Sequence, residues 1–456
     1  MHKLIPAGLV LALGLPVVAM ADTAADIGAL RQEIETIRSG YEQRLQALEQ
    51  RLKAAEAQAP AVAVVAPTAV PAVPTATVPG GGTGGGANAF NPAIALILSG
   101  NYARSSLDPA RYSLTGFALP ANSAAGPFGR GFSLAESELD LSASVDPWLR
   151  GAANISLHPD NTVSVEEAYV QTTSLGNGLS LKAGRFFSGI GYMNEQHAHT
   201  WDFADAPLAY QAFLGTQFGD DGLQLRWLAP TDLFLEAGAE VGRGRGFPGS
   251  DSARNGVGAS SLFVHAGGDI GDSSSWRAGL SMLNAKATGQ ALTTSRALGG
   301  PAGGVFNGRN RVWIADGVWK WAPNGNGTRT NFKLQGEYLR STRDGSVTAL
   351  ADSASAVDGH AAQSGWYLQG AYQFMPRWRV GLRTERLDSG AVSDPDLSAL
   401  TAYRPRKDSA MLEFNPSEFS RVRLQLARDR SRFGLADNQL ILQYQMSLGA
   451  HGAHSF

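Results

Sequence analysis

Between Phe419 and Leu448 apolar residues recur at every second position over two consecutive segments, and few folds accept that pattern at such length. In the first segment Val422, Leu424 and Leu426 alternate with Arg421, Arg423 and Gln425. In the second, Leu440, Leu442, Tyr444, Met446 and Leu448 alternate with Gln439, Gln443, Gln445 and Ser447, with Ile441 as the exception. A period of two puts one set on each face of a strand. The pair therefore reads as a hairpin with one apolar and one polar face. A soluble sandwich would cover the apolar face with a second sheet and usually has shorter strands. The alternative is a sheet whose outer face meets lipid and whose inner face meets water.

The chain from Phe90 onward repeats the pattern and favours the second option. Outward positions are Leu139, Leu141 and Ala143; Leu233, Leu235, Ala237 and Val241; Trp276, Ala278, Leu280 and Met282; Phe332, Leu334 and Tyr338; Trp366, Leu368, Tyr372 and Phe374; and Trp378, Val380 and Leu382. Trp276, Trp366, Phe374 and Trp378 fall near strand ends, where interfacial aromatic girdles sit. Short turns carry Asp146-Pro147, Gly176-Asn177-Gly178, Pro230-Thr231-Asp232, Gly271-Asp272, Pro323-Asn324-Gly325, Met375-Pro376 and Asn415-Pro416-Ser417, all of them turn chemistry. They alternate with connections that are mostly longer and rich in Gly, Ser, Ala and Asp. Seven such turns plus closure of first strand on last predict an all-β, up-and-down antiparallel transmembrane barrel of about sixteen strands.

Composition agrees. Charged residues are 17%, glycine is 54 of 456, and mean hydropathy is -0.13. This is too glycine-rich for a typical helical enzyme and too polar for a helical membrane protein. A net charge of -2 gives no argument for nucleic acid as a partner. Cysteine is absent, so any metal would be held by His, Asp or Glu.

The region before the barrel divides into three. Residues 1–21 combine Lys3, an apolar run from Leu4 to Val18 and Ala19-Met20-Ala21, the layout of a secretory signal peptide. Residues 22–58 carry Ile27, Leu30, Ile34, Ile37, Tyr41, Leu45, Leu48, Leu52 and Ala55 at spacings of three and four, with a stutter near Gly40. That is a coiled-coil seam of roughly four heptads. A single helix cannot bury it, so it implies self-association. Residues 59–89 are a Pro/Ala/Gly-rich spacer, and 90–456 form the barrel domain.

Inward-facing residues are the functional surface of such a barrel. The second strand offers Glu136, Glu138 and Asp140, the thirteenth Arg377, Arg379 and Arg383, and the fifteenth Arg421 and Arg423, with Lys182, Arg226, Arg277 and Lys333 elsewhere. Opposed charges in a lumen order water and filter solutes by charge and dipole; equally, they can pair into a wall that stiffens the barrel. The connection from Gly189 to about Asp221 is the third long one. Folded inward, it would narrow a channel and set Glu195, Asp202 and Asp205 against the arginine strands. Its His197-Ala198-His199 beside carboxylates has ligand types suited to zinc or another divalent ion. His451 and His454 offer the same chemistry near the end of the chain. No Gly-x-Ser-x-Gly, Walker A or His-Glu-x-x-His pattern is present, and no enzyme activity is expected.

The signal, the Ile27–Ala55 seam, the alternating domain from Phe90 and the terminal Phe456 together resemble Gram-negative outer-membrane porins with an amino-terminal periplasmic coiled coil, as some sugar porins have. The resemblance implies a homotrimer in outer-membrane lipid, passive diffusion, and a constricting third loop. Segments Leu181–Gly191, Pro416–Arg421 and Gly449–His454 also resemble an uncharacterised proteobacterial outer-membrane family sometimes labelled TonB-dependent or zinc-regulated. A coil and spacer leave no room for a folded plug, and the domain is short for a barrel of about 22 strands. The expectation is therefore a porin for small hydrophilic solutes or ions. The alternatives are a zinc-linked uptake protein and an anchor whose coil reaches toward the cell wall.

Overall fold

A computed structural model of the chain describes residues 92–120, 125–251, 255–295, 301–349, 356–392 and 403–449. The expected signal peptide, coiled coil and spacer, and His451 and His454, lie outside the described residues. The strands are β1 (Ala93–Ser105), β2 (Gly131–Leu134 continued by Ser137–Ser144), β3 (Leu149–Leu157), β4 (Val163–Thr172), β5 (Leu179–Phe187), β6 (Gly219–Leu228), β7 (Phe234–Gly242), β8 (Ala259–Ile270), β9 (Ser274–Ser295), β10 (Pro301–Trp321), β11 (Asn331–Ala349), β12 (Ala356–Met375), β13 (Trp378–Val392), β14 (Arg406–Ser417), β15 (Ser420–Arg430) and β16 (Asp437–Gly449). Each pairs antiparallel with the next, and β1 pairs with β16 through Leu96↔Leu448 and Leu98↔Met446. The result is a closed sixteen-stranded barrel.

Every outward position named above has the expected parity. Leu382 is 70% exposed and Leu426 51%, whereas the polar inward neighbours Arg383 and Gln425 are 3% and 0% exposed. A water-soluble barrel would show the reverse, so this is a transmembrane barrel with a lipid-facing outer wall. The closing hairpin keeps its register, with Leu424 opposite Leu442 and Leu426 opposite Leu440. Aromatic pairs collect toward the short-turn end, with Trp378 and Phe414 ring centroids 4.7 Å apart and Trp319 and Phe332 5.8 Å apart. All seven predicted turns join consecutive strands. Gly178 shows why composition matters there: its φ is 74°, and a Cβ would lie 1.9 Å from the Leu228 carbonyl oxygen.

The connections at the other end include the tight turn His158–Thr162, closed by the Thr162 carbonyl accepting from the His158 N–H at 2.9 Å. Several strands are long, with 22, 21 and 20 residues in β9, β10 and β12, about twice what spans a bilayer. One expectation is corrected: the inner face is not wholly polar. Phe263, Leu283, Val312, Ile314, Leu339 and Leu387 point inward and pack with Leu114 and Phe117 of the first long connection and with Ile190, Leu208 and Phe213 of the third. The lumen thus contains a dry core.

Candidate functional site: a loop anchored inside the barrel

Residues 188–218 leave β5 and turn into the lumen. Their helix α1 (Leu208–Leu214) is buried along its whole length and ends at Gly215 in the left-handed conformation, φ 66°. The base of the loop is pinned by Asn194, whose side-chain amide donates to the carbonyls of Ser188 (2.8 Å) and Phe218 (2.9 Å) and whose Oδ1 accepts from the Phe218 N–H at 2.8 Å. Wall carboxylates then bind loop N–H groups that would otherwise be buried without partners. Glu240 accepts from the Gly189 N–H at 2.9 Å. Glu337 accepts from the Met193 N–H at 3.0 Å and from the Tyr210 and Tyr367 hydroxyls at 2.8 and 2.6 Å. Glu385 accepts from the Leu208 N–H at 2.5 Å.

The expected opposition of loop carboxylates and wall arginines forms for two of three residues. Asp202 bridges Lys333 (2.6 Å) and Arg379 (2.7 Å). Asp205 pairs with Arg383 at 2.6 Å and with Lys407, and accepts from Gln425 Nε2 at 2.8 Å. Burial alone would raise both carboxyls, but Lys333 with Arg379, and Lys407 with Arg383, outweigh it and hold them below the ordinary value of 3.8. Glu195 is a correction: it pairs with Arg226 on β6 and not with the β13 and β15 arginines.

The arginine strands are also partly corrected. Arg377 does not line the lumen; it occupies the short turn between β12 and β13 with φ 72° and is exposed. Arg423 faces inward but is only 1% exposed, clamped by Glu413 at 2.6 Å and by the Trp201 carbonyl at 2.8 Å. Arg421 donates to the His199 carbonyl at 2.5 Å and to Gln445 at 2.8 Å. These arginines grip the loop, and water does not bathe them as a free wall. Partly buried and inward are Lys182, 4.4 Å from the Tyr169 ring centroid, Arg226, Arg277, 5.4 Å from that of Tyr192, Lys333 and Arg379.

On β2 and β4 acidic residues gather around the loop histidines. His197 Nδ1 lies 3.3 Å from both Glu138 and Glu166, and its Nε2 is 3.0 Å from Glu167. His199 Nδ1 is 2.9 Å from Glu138, and the two imidazoles stack at 5.7 Å. Burial would lower the His197 pKa, but Glu138, Glu166 and Glu167 outweigh it and hold it well above the ordinary 6.5. Glu136 stands beside Glu166, and Asp140 accepts from Asn154 at 2.5 Å. Ligand atoms of Glu138, Glu166 and His197 lie within 4.8 Å of one another, so the donor set fits a divalent ion. His199 adjoins this group without belonging to it.

Sequence reading missed Glu166, Glu167, Glu240, Glu337, Glu385 and Lys407 as loop anchors, and Glu413 as the carboxylate that holds Arg379 and Arg423 against the loop. Their signal was available, since Glu337, Glu385 and Glu413 interrupt strand segments at inward parity. The inward apolar patch also had one: Val312-Trp313-Ile314-Ala315 is apolar at consecutive positions, the mark of a strand covered on both faces.

The architecture defines the chain as a transmembrane β-barrel with an inward-folded third loop. No family model matches it. It is 33% identical over 352 residues to an uncharacterized protein of Aquifex aeolicus (strain VF5), covering 72% of this chain and 70% of that one. The chain belongs to the same family as that protein. Among solved structures it is similar to a loop L8 deletion mutant of OmpT, an outer membrane protein of Vibrio cholerae (TM-score 0.49, 10% identity, 78% of this chain and 99% of that chain). It is also similar to an anion-selective porin from Comamonas acidovorans (TM-score 0.47, 11% identity, 78% and 99%) and to OprB of Pseudomonas putida (TM-score 0.42, 15% identity, 78% and 94%).

Proposed function

We propose that this protein is an outer-membrane porin that passes small hydrophilic solutes or ions by diffusion, self-associates as a trimer, and extends its coiled coil into the periplasm. The supporting observation is a lumen narrowed by a loop anchored on its own wall. Partly buried Lys182, Arg226, Arg277, Lys333 and Arg379 face inward from strands between β5 and β13, and Asp140, Glu166 and Glu167 from β2 and β4, so charges of both signs line the lumen. Such a lining acts on a passing solute through its charge and dipole. Planar-bilayer recording of the refolded protein tests the reading: stepwise conductance is expected, and a correctly folded but silent barrel refutes it.

A second reading rests on the histidine cluster. His197, Glu138 and Glu166 would hold zinc or another divalent ion, which would take the place of the proton on His197, and the protein would serve metal-linked uptake. Calorimetric titration of the refolded barrel with zinc should show saturable heat that is lost in His197→Ala; dilution heat alone would end this reading.

A further inference from the structure

The outer wall of β13, β14 and β15 can be followed row by row from the short turns upward. Trp378, Phe414 and Val422 lie side by side, then Val380, Leu412 and Leu424, then Leu382, Ala410 and Leu426, then Thr384, Asp408 and Arg428. The next row consists of Arg386, Arg406 and Arg430, each directly opposite the next. Three apolar rows thus give way to a mixed row and then to three arginines on adjacent strands. At about 3.4 Å per residue the arginine row stands roughly 27 Å along the strand from Trp378. A strand tilt of about 40° reduces this to roughly 21 Å along the membrane normal, near the edge of an apolar band about 25 Å tall. The row therefore sits at headgroup depth.

Like charges directly opposite on neighbouring strands are unfavourable, and among the described residues carboxylates pair with only part of the row. Arg386 Nη1 is 3.1 Å from Asp408, and Arg404 Nε is 3.2 Å from Asp388. Arg406, Arg428 and Arg430 make no ion pair among the described residues. Arg386, Arg404, Arg406 and Arg430, with Tyr403 and Leu435, line a cavity of about 550 Å³ on this rim. The Tyr403 hydroxyl donates to the Arg430 carbonyl at 2.7 Å and fixes one wall of it.

We infer that this row is a binding site for the phosphate groups of a phosphorylated glycolipid in the outer leaflet, with its acyl chains against Val380, Leu382, Leu412, Leu424 and Leu426. Guanidinium groups match phosphate oxygens in pairs, and the residues face the bilayer, not the lumen, so a lipid fits better than a free anion or a passing solute. This follows from the barrel's outer face and does not depend on what the lumen conducts.

The test uses the refolded full chain in detergent and bisphosphorylated lipid A as probe, read by native mass spectrometry. The triple variant Arg386→Gln/Arg406→Gln/Arg430→Gln should bind it at least tenfold more weakly than the wild type, and the exposed single variant Arg406→Gln should weaken binding measurably while leaving the folded, heat-modifiable barrel intact. Dephosphorylated lipid should bind the wild type no better than the triple variant. Equal retention of lipid A by wild type and both variants would overturn the assignment. Complete displacement of the lipid by millimolar inorganic phosphate, marking an anion site indifferent to lipid, would overturn it too.

Discussion

Replacing Asp205 by alanine tests what holds the third loop in place. The Asp205 side chain is 6% exposed and faces Arg383 and Lys407, themselves 1% and 2% exposed. After the substitution Arg383 keeps Glu385 at 2.8 Å and its bond to the backbone oxygen of residue 205, also 2.8 Å. Lys407 loses its ion pair and remains buried. Removing one partner of a buried pair costs about 3–5 kcal/mol. At about 1.4 kcal/mol per decade this is some two to three and a half decades in the docked-to-undocked ratio. The barrel wall is closed by its own backbone ladder, so the cost falls on the loop. Recordings of Asp205→Ala should show larger or noisier open-channel current, with faster hydrogen exchange over residues 188–218 and unchanged barrel melting. Because replacing both members of such a pair with apolar groups is far less costly, Asp205→Ala with Lys407→Met should recover most of the wild-type exchange protection. Wild-type current noise and exchange in the folded single variant would refute the claim that this cluster anchors the loop.

Acid should act on the same anchors late. Asp202 and Asp205 have folded pKa values below the ordinary 3.8, so their contribution is present above that value and is lost only as pH falls through the lowered ones. Exchange protection at residues 201–205 should therefore stay level from neutral pH to about 3.8, and a loss centred there near pH 5–6 would contradict the assignment; residues 208–214 also hang on Glu337 and Glu385 and do not report on the two aspartates alone. Deleting Asp26–Gln58 should leave single-channel conductance unchanged while altering oligomer size on light scattering, if the coil associates and the barrel alone conducts. Gly178→Ala should destabilise the β4–β5 end of the barrel by about 1–3 kcal/mol through backbone strain, seen as a lowered temperature for loss of heat-modifiable migration.

The wall of this protein was legible in its amino-acid order, and most of its lumen was not. Strand parity and turns are local: Leu424 and Leu442 declare their face within a few residues, and Gly176-Asn177-Gly178 declares its turn. Extending parity through a turn is where local reasoning failed, since Arg377 shares odd spacing with Arg379 but occupies the left-handed turn position between two strands. The loop's anchors are non-local. Asp205 meets Lys407 across 202 positions, and Asp202 meets Arg379 across 177, distances over which charge alternation predicts an encounter without saying which partners meet. Carboxylates were read as lining for water, yet Glu337 and Glu385 serve as acceptors for buried peptide groups, a role that appears only once the loop lies against them.

That arrangement also orders the protein's assembly. The loop emerges from β5, but Asp202 is held by β11 and β13, and Asp205 by β13, β14 and β15, all from the last third of the chain. A growing sheet that stops before β13 has neither aspartate cluster complete, and helix α1 then rests only on Glu337 through Tyr210 and on the apolar side chains of β8 to β11. Constriction is therefore among the last features the molecule acquires, installed at about the stage when β16 reaches β1. An incompletely threaded barrel would be wider, wetter and less selective than the finished one.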